Sequence, residues 1–432
     1  MTQVRLIGSI GISEVLVFMA APFVFARDYR LLKRDGFMPM VNLAILTVCG
    51  CFIASYYNHT AVPFFLRGFA STYSVFAFLV VFHRLLRDNL DGMKWLLLGI
   101  CLSNVINIFA FQQAVEIAKV GAEANSAEMT AAVTSGVLFW LIHIGPFMTL
   151  PTRGWYFQTP LLYSVVTVMI IPAYTMATTA SGRAAVVIAI GSLFLLLAAH
   201  KSVRAMRSMQ RHIVFVGCLG VAVCIFIKEG YKYLAENGYL NEEATRKYEG
   251  QMANKKGVMG MLIGGRAEFF GGIYAAIKKP ILGYGPWAID RDGIYRDFVS
   301  EYGNWEDAEK YNRSFYDHAA RGLYPLVPAH SHIIGFWVQY GLIGLILWLY
   351  VFYLIYKLLK LNLAAIPQWY GYFALTACSC IWNILFSPYG QRAEMPLFIA
   401  TMLFADAVRR RRIPLSPHMI YEIQCLDAKK EA

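Results

Sequence analysis

Long apolar runs separated by short polar connectors fill most of the chain. A run of at least ~18 apolar residues is what a helix needs to cross a bilayer. Read by that rule, the pattern predicts eleven spans, at roughly 4–26, 37–57, 64–86, 95–114, 130–150, 160–179, 184–200, 212–229, 332–356, 368–387 and 396–408. One polar stretch, about 230–330, breaks the series. The expected architecture is an all-α polytopic membrane protein with about 11–12 transmembrane helices and one large, mostly helical loop. Its parts are N-terminal transmembrane helices over 1–229, the loop over 230–331, C-terminal transmembrane helices over 332–408 and a tail over 409–432.

Composition agrees with this pattern. The chain is 58% hydrophobic and 15% charged, against about 25% charged for soluble domains. The net charge of +12 could suggest nucleic acid, but the cations sit in short segments between apolar runs, where they set topology. If the spans alternate, the basic connectors Arg27 to Arg34, Arg84 to Lys94, Lys201 to Arg211, Lys357/Lys360 and Arg409 to Arg412 all fall on one side. The positive-inside rule makes that side cytoplasmic. The large loop then faces outward, the tail inward and the N-terminus outward; a missed or truncated first helix would explain the last of these. The least secure span is 130–150, which contains His143 and Pro146; were it re-entrant, Lys201 to Arg211 and Arg409 to Arg412 would face outward. No internal repeat is visible, which separates the chain from two-halved transporters. None of the eight cysteines lies in the loop, so it holds no disulfide framework.

Within the loop, Lys228 to Lys256 is polar and Gly257 to Gly265 is a glycine- and methionine-rich connector. Arg266 to Lys279 reads as an amphipathic helix on the membrane surface, with Phe269, Phe270, Ile273, Tyr274 and Ile277 on one face. Pro280 stops it, and Leu282 to Pro286 is a turn containing Tyr284, a candidate substrate contact. From Ile289 to Arg321, aromatics interleave with polar side chains. Two readings stand: stacking surfaces for sugars, or a small domain that uses its aromatics as a core.

Three outward-facing features could carry chemistry: Ser181-Gly182-Arg183, Gly264-Gly265-Arg266, and His330 with His332 at the loop's exit. Guanidinium groups at a membrane surface suit a phosphate or diphosphate, because each offers planar bidentate donors and a permanent charge. A single interfacial arginine is more often a snorkelling anchor; two Gly-Arg sites with a histidine on one face favour a functional site. Imidazole accepts a proton near neutral pH; a capping histidine is the plain alternative, and His332 ranks behind His330. Arg67, near the outer end of the third span, is a further phosphate contact. Arg392, in the short loop before Pro396, is a substrate contact or half of an ion pair with Glu394. No HExxH, CxxC or carboxylate cluster argues for a metal, and no cofactor is expected.

Gly-Gly-Arg266-Ala-Glu268-Phe-Phe, then Lys279-Pro280-Ile-Leu-Gly283-Tyr-Gly285, then Ala329-His330-Ser-His332 leading to Gly341-Leu-Ile-Gly344, resembles the O-antigen ligase and polymerase superfamily. Ser181-Gly182-Arg183 resembles its Ser-Arg element, and the likeness covers roughly 160–350. Ser331 stands where the family usually has Asn, and Gln339 where it often has Glu. The resemblance implies an inverting, metal-independent glycosyltransferase of the membrane GT-C type in the bacterial inner membrane. Such an enzyme moves a glycan from undecaprenyl diphosphate to an acceptor hydroxyl on the periplasmic face. By position, His330, Arg183 and Arg266 match the family's histidine and arginines. Ligation to lipid A-core or a similar acceptor leads; repeat-unit polymerisation is the nearest rival, transfer to protein a further option, and a non-catalytic lipid-linked glycan transporter an alternative from another class. Partners would be the polyprenyl-diphosphate-linked donor, a glycan or glycolipid acceptor and membrane lipids.

Overall fold

The computed structural model describes residues 12–90, 267–302, 326–329, 331–361, 370–387 and 393–410, with isolated positions elsewhere. The expected spans at 130–150, 160–179, 184–200 and 212–229, and nearly all of 95–114, lie outside the described residues. The described elements are α1 (Ile12–Asp35), α2 (Met38–Tyr57), α3 (Val62–Leu86), α4 (Ala267–Lys278), α5 (Ile294–Tyr302), α6 (His332–Leu361), α7 (Tyr370–Phe386) and α8 (Glu394–Arg409). Among the described residues the one β pairing is an isolated antiparallel bridge between Ile289 and Leu326.

Three stretches are long and apolar enough to cross a membrane: Met38–Tyr57, Val62–Leu86 and His332–Lys357. Leu16, Met19 and Phe23 on α1, Leu46, Phe52, Ile53 and Tyr56 on α2, and Leu342, Ile346, Leu349, Tyr353 and Tyr356 on α6 are exposed. Their spacing of mostly three or four residues makes each set one face of its helix, as a lipid-facing surface requires. The chain is a membrane protein.

α1 runs past the expected end of the first span, so Arg27 to Arg34 are helical. It stops where Gly36 takes φ +87°. There Phe37 N–H donates to Leu32 O at 2.9 Å and Gly36 N–H to Lys33 O at 3.3 Å, the paired bonds of a glycine-terminated helix. Pro39 and Pro63 stand in the first turns of α2 and α3, where a missing N–H costs nothing. The C-terminal ends of α1, α3, α6 and α8 meet at one end of the bundle. His83 stacks on Phe404 and packs edge-on against Phe37, the Arg412 guanidinium lies against Gly36, and Lys357 pairs with Asp406 at 2.8 Å. These helices therefore bring four of the five basic connectors to a common end, as alternating spans require.

The run 332–356, which reads as one span from its hydropathy, is corrected by the structure. Gly341 has φ +65° and ψ −149° inside α6. In a straight helix His332 and Trp348 would stand about 24 Å apart; their rings are 4.9 Å apart. α6 is thus two antiparallel limbs, 332–340 and 342–361, and the second alone, about 30 Å long, is the candidate span. Both glycines of Gly341-Leu-Ile-Gly344 have physical causes. A Cβ on Gly341 would lie 1.9 Å from Ile281 O, and one on Gly344 would lie 2.3 Å from Phe336 O, on the opposite limb.

The turn after Pro280 caps this reversal. Tyr284 N–H donates to Val338 O at 2.7 Å, Gly285 N–H to Gln339 O at 2.9 Å, and Leu342 N–H to Ile281 O at 3.1 Å. These are the backbone groups that a broken helix orphans on either side of its break. Gly283 and Gly285 both take positive φ, and a Cβ on Gly283 would meet Val338 O at 2.6 Å. The glycine turn and the broken helix, some 55 residues apart, are therefore one structural unit.

α4 also differs from its sequence reading. Its most buried residues are small: Ala275 and Ala276 are fully buried, Gly272 abuts Ile334 and Ala329, and Gly271 abuts Tyr295 and Phe298. Phe269, Phe270, Ile273 and Tyr274 pack on the core from the flanks. Much of its apolar face packs on protein, because two adjacent glycines let α5 and the first limb of α6 approach closely, while Ile277 stays exposed. α5 is capped by buried Asp290, whose carboxylate accepts the backbone N–H groups of Ile294, Tyr295 and Arg296.

Candidate functional site

Opposite the basic end, the α2–α3 turn, the first turns of α3 and the loop 280–291 form a common surface. Asn58 Nδ2 donates to Ala54 O at 2.8 Å and to Gly283 O at 3.1 Å, tying the turn to the glycine loop. Pro286 is pressed onto Gly68, where a Cβ would come within 2.4 Å of it. Arg291 donates to the carbonyls of Asn58 and His59. On this surface the Arg67 guanidinium lies 5.6 Å from the centre of the Trp287 ring, with Phe64 on the same indole. Arg67 is exposed and has no carboxylate partner among the described residues.

From Arg67 a polar stripe descends α3. Arg67, Ser71 and Ser74 share one helical face at four- and three-residue spacing. Ser71 Oγ donates to Arg67 O and Ser74 Oγ to Ser71 O. Ser74, the middle residue of α3, meets the Tyr389 hydroxyl at 3.2 Å. Tyr389 in turn lies 5.2 Å from the His332 ring and packs on Phe336 and Trp348. The α7–α8 connection thus reaches only about halfway up α3. Helix length explains this: α8 has 16 residues and α3 has 25, about 24 Å against 37 Å, and both end at the basic end. The first limb of α6 begins at that depth with His332 and rises to Tyr340, whose hydroxyl faces Gly68 O at 3.4 Å.

Each sequence-derived candidate can be placed against this frame. Arg67 is at the surface beside Trp287. His332 is 4% exposed, the first residue of the limb, held between Trp348 and Tyr389. Tyr284 is 4% exposed, with the Lys279 ammonium 4.6 Å above its ring. Burial, with Asp292 and Asp290 nearby, pushes the Tyr284 phenol well above its ordinary value, so it is a neutral hydroxyl at any physiological pH. Arg183, Arg266, His330 and Arg392 lie outside the described residues. Their described chain neighbours are informative: Ala267 opens α4, Ala329 and Ser331 flank His330, and Gly272 of α4 abuts both Ala329 and Ile334. Ser331 Oγ accepts from Ile334 N–H at 3.2 Å and donates to Ile384 O at 2.8 Å. It is the N-cap of the first limb, a role Asn fills equally well, so serine here preserves the cap. Among the described residues no three His, Cys, Asp or Glu side chains are grouped to hold a metal ion.

Sequence reasoning passed over Trp287, Ser74 and Tyr389. Trp287 and Tyr389 both sit in glycine-proline turns, Gly285-Pro286-Trp287 and Pro388-Tyr389-Gly390, and an aromatic in such a turn between apolar runs was the available signal. Ser74 gave none, since serine is common in apolar helices.

The O-antigen ligase family model matches residues 167–349. Residues 167–349 are similar to the O-antigen ligase domain, a match that supports the O-antigen ligase and polymerase superfamily. The matched segment contains the Ser181-Gly182-Arg183 element, all of α4 and α5, the glycine turn and the reversal at Gly341. The match supports a function of the ligase or polymerase type; members of that family are glycosyltransferase-like enzymes acting on lipid-linked glycans and acceptors. No curated protein and no solved structure matches the chain.

Proposed function

We propose that this protein transfers a glycan from undecaprenyl diphosphate to a hydroxyl of lipid A-core or a similar acceptor, at the periplasmic face of the bacterial inner membrane. The observation that carries the reading is the extent of the family match: residues 167–349 include Arg183, Arg266 and His330 together. Arg183 and Arg266 bind the donor diphosphate and stabilise the charge that develops as the anomeric bond breaks. Arg67 extends this phosphate site from the surface. The acceptor oxygen attacks the anomeric carbon opposite the leaving group. The C–O bond to the acceptor forms, the C–O bond to phosphate breaks, and undecaprenyl diphosphate leaves. His330 orients the acceptor and takes its proton. Inversion at the anomeric carbon follows from a single displacement, and a diphosphate leaves readily without a metal. His332, Tyr284 and Arg392 are assigned to substrate positioning. The second reading is a repeat-unit polymerase, in which the acceptor is another lipid-linked glycan.

The test is transfer by purified protein in nanodiscs, given a lipid-linked oligosaccharide and either lipid A-core or a second lipid-linked glycan. Product on lipid A-core alone establishes the ligase, and elongation of the lipid-linked glycan establishes the polymerase. His330→Ala should abolish transfer while donor binding persists; loss of donor binding instead would remove the base role. Full turnover by Arg266→Ala would take that residue out of the mechanism.

A further inference from the structure

Trp287 is the feature the reaction has not used. It is 38% exposed, at the end opposite the basic connectors, and its backbone is in the left-handed region at φ +67°. Ala288 follows at φ +42°. Two successive non-glycine residues there are strained, and such strain persists only where surrounding structure enforces it. The enforcement is visible: Ala288 N–H donates to Gly285 O at 3.0 Å, Val327 N–H donates to Ala288 O at 2.8 Å, and Pro286 is wedged on Gly68. An indole serving only as an interfacial anchor needs no fixed orientation. This one is fixed, half-exposed, and shares its ring with a guanidinium free of carboxylates among the described residues.

We propose that Trp287 is the stacking platform for the pyranose ring joined directly to the diphosphate of the lipid-linked donor, beside the phosphate held at Arg67. This rests on the reading of the protein as a lipid-linked glycan transferase, and deepens it by naming a donor-sugar subsite. The chemistry fits at both atoms. A guanidinium held over an indole by cation–π attraction, at 5.6 Å here, still has N–H donors to offer a phosphate. A pyranose esterified to that phosphate begins one bond further on, and its C–H face matches the amphipathic indole. The backbone strain has a use, because a preorganised platform loses little freedom when the sugar binds.

Two probes separate this subsite from the phosphate site: undecaprenyl diphosphate, and undecaprenyl-diphospho-N-acetylglucosamine, each titrated into full-length protein in nanodiscs. Trp287→Ala should weaken the sugar-bearing probe about fivefold to tenfold and leave the sugar-free probe unchanged, with Trp287→Phe intermediate. Arg67→Ala should weaken both probes alike. Equal effects of Trp287→Ala on the two probes, or no effect on either, overturn the platform; an unchanged Trp287→Phe protein, which keeps an aromatic and the fold, overturns it too. If Arg67→Ala also leaves both probes unchanged, the phosphate assignment in the proposed function fails as well, so the two failures are distinguishable.

Discussion

The two ends of the bundle are built from different interactions. At the basic end, carboxylates close on cations. Buried Asp35 receives Arg87 at 2.8 Å, His83 at 3.0 Å and Arg34 at 3.1 Å. Asp406 receives Lys357, Arg409 and Arg410, and Arg84 approaches Asp28 and Asp88. At the other end, the contacts between elements run mostly to backbone carbonyls. The glycine turn caps the broken α6, Asn58 bonds a carbonyl, and Arg291 bonds two more. The difference decides what each end can do. A guanidinium already matched by a buried carboxylate has little left for a ligand, whereas Arg67 retains its donors. The basic end holds helices together; the opposite end holds a surface in shape and leaves a cation on it.

The sharpest break of this contrast is at Gly341. A methyl there would meet Ile281 O at 1.9 Å, and alanine at φ +65° adds backbone strain. Gly341→Ala should cost more than the ~4–5 kcal/mol that marks an exceptional substitution, and little monodisperse protein should survive size-exclusion chromatography. Folded Gly341→Ala protein with normal yield would show that the reversal is not what the turn exists to cap. Next in size is Asp35→Asn. The aspartate side chain is fully buried with three partners, and removing one member of such a network costs about 3–5 kcal/mol. The melting temperature of the solubilised protein should fall markedly while lipid diphosphate binding by the folded fraction stays normal. A binding defect with unchanged melting would reverse the roles assigned to the two ends.

Sequence pattern carried the described helices and the common end of four basic connectors, because hydropathy and cations report on the solvent each residue meets. It read α2 and α3 nearly to their ends, and placed Arg67 where it lies. It could not show the reversal in α6, since both limbs are apolar and a helix that doubles back inside the protein has the hydropathy of one that crosses. The clue was local: glycines at 341, 344 and 283, each required by a close backbone contact rather than by polarity, with Gly285 beside them at positive φ. α4 illustrates a related limit. Its aromatics drew attention as the burying face, but Gly271, Gly272, Ala275 and Ala276 make the closest approach, and small residues carry almost no weight in a hydrophobic pattern.

A smaller and more selective change is expected at Arg67. Its exposed side chain makes no ion pair among the described residues, so Arg67→Ala should leave the melting temperature within the shift that ~0.5 kcal/mol produces. Affinity for undecaprenyl diphosphate should nonetheless fall about tenfold, roughly 1.4 kcal/mol. Arg67→Lys should recover only part, because an ammonium keeps the charge and loses the planar bidentate fork. Complete recovery by lysine would mean that charge alone operates there, which would make the opposite end more like the basic end than the contrast allows.

The smallest effect belongs to Tyr284, which lies behind the surface opposite the basic end. Burial raises its phenol above the ordinary 10.0, so the folded protein holds this proton more tightly than the unfolded chain does. The resulting stability is fully present below pH 10 and is lost as pH climbs toward the folded-state value. Wild-type protein should therefore lose melting temperature above pH 10 more steeply than Tyr284→Phe, while the two keep the same pH dependence from 6 to 9. The Lys279 ammonium sits over this ring and is bonded to Asp292 at 2.8 Å, and it is present in both proteins. If Tyr284→Phe instead altered behaviour near neutrality, the phenol would have to exchange its proton there. That would place a titrating group beneath this surface, where the packing around Tyr284 provides only a neutral one.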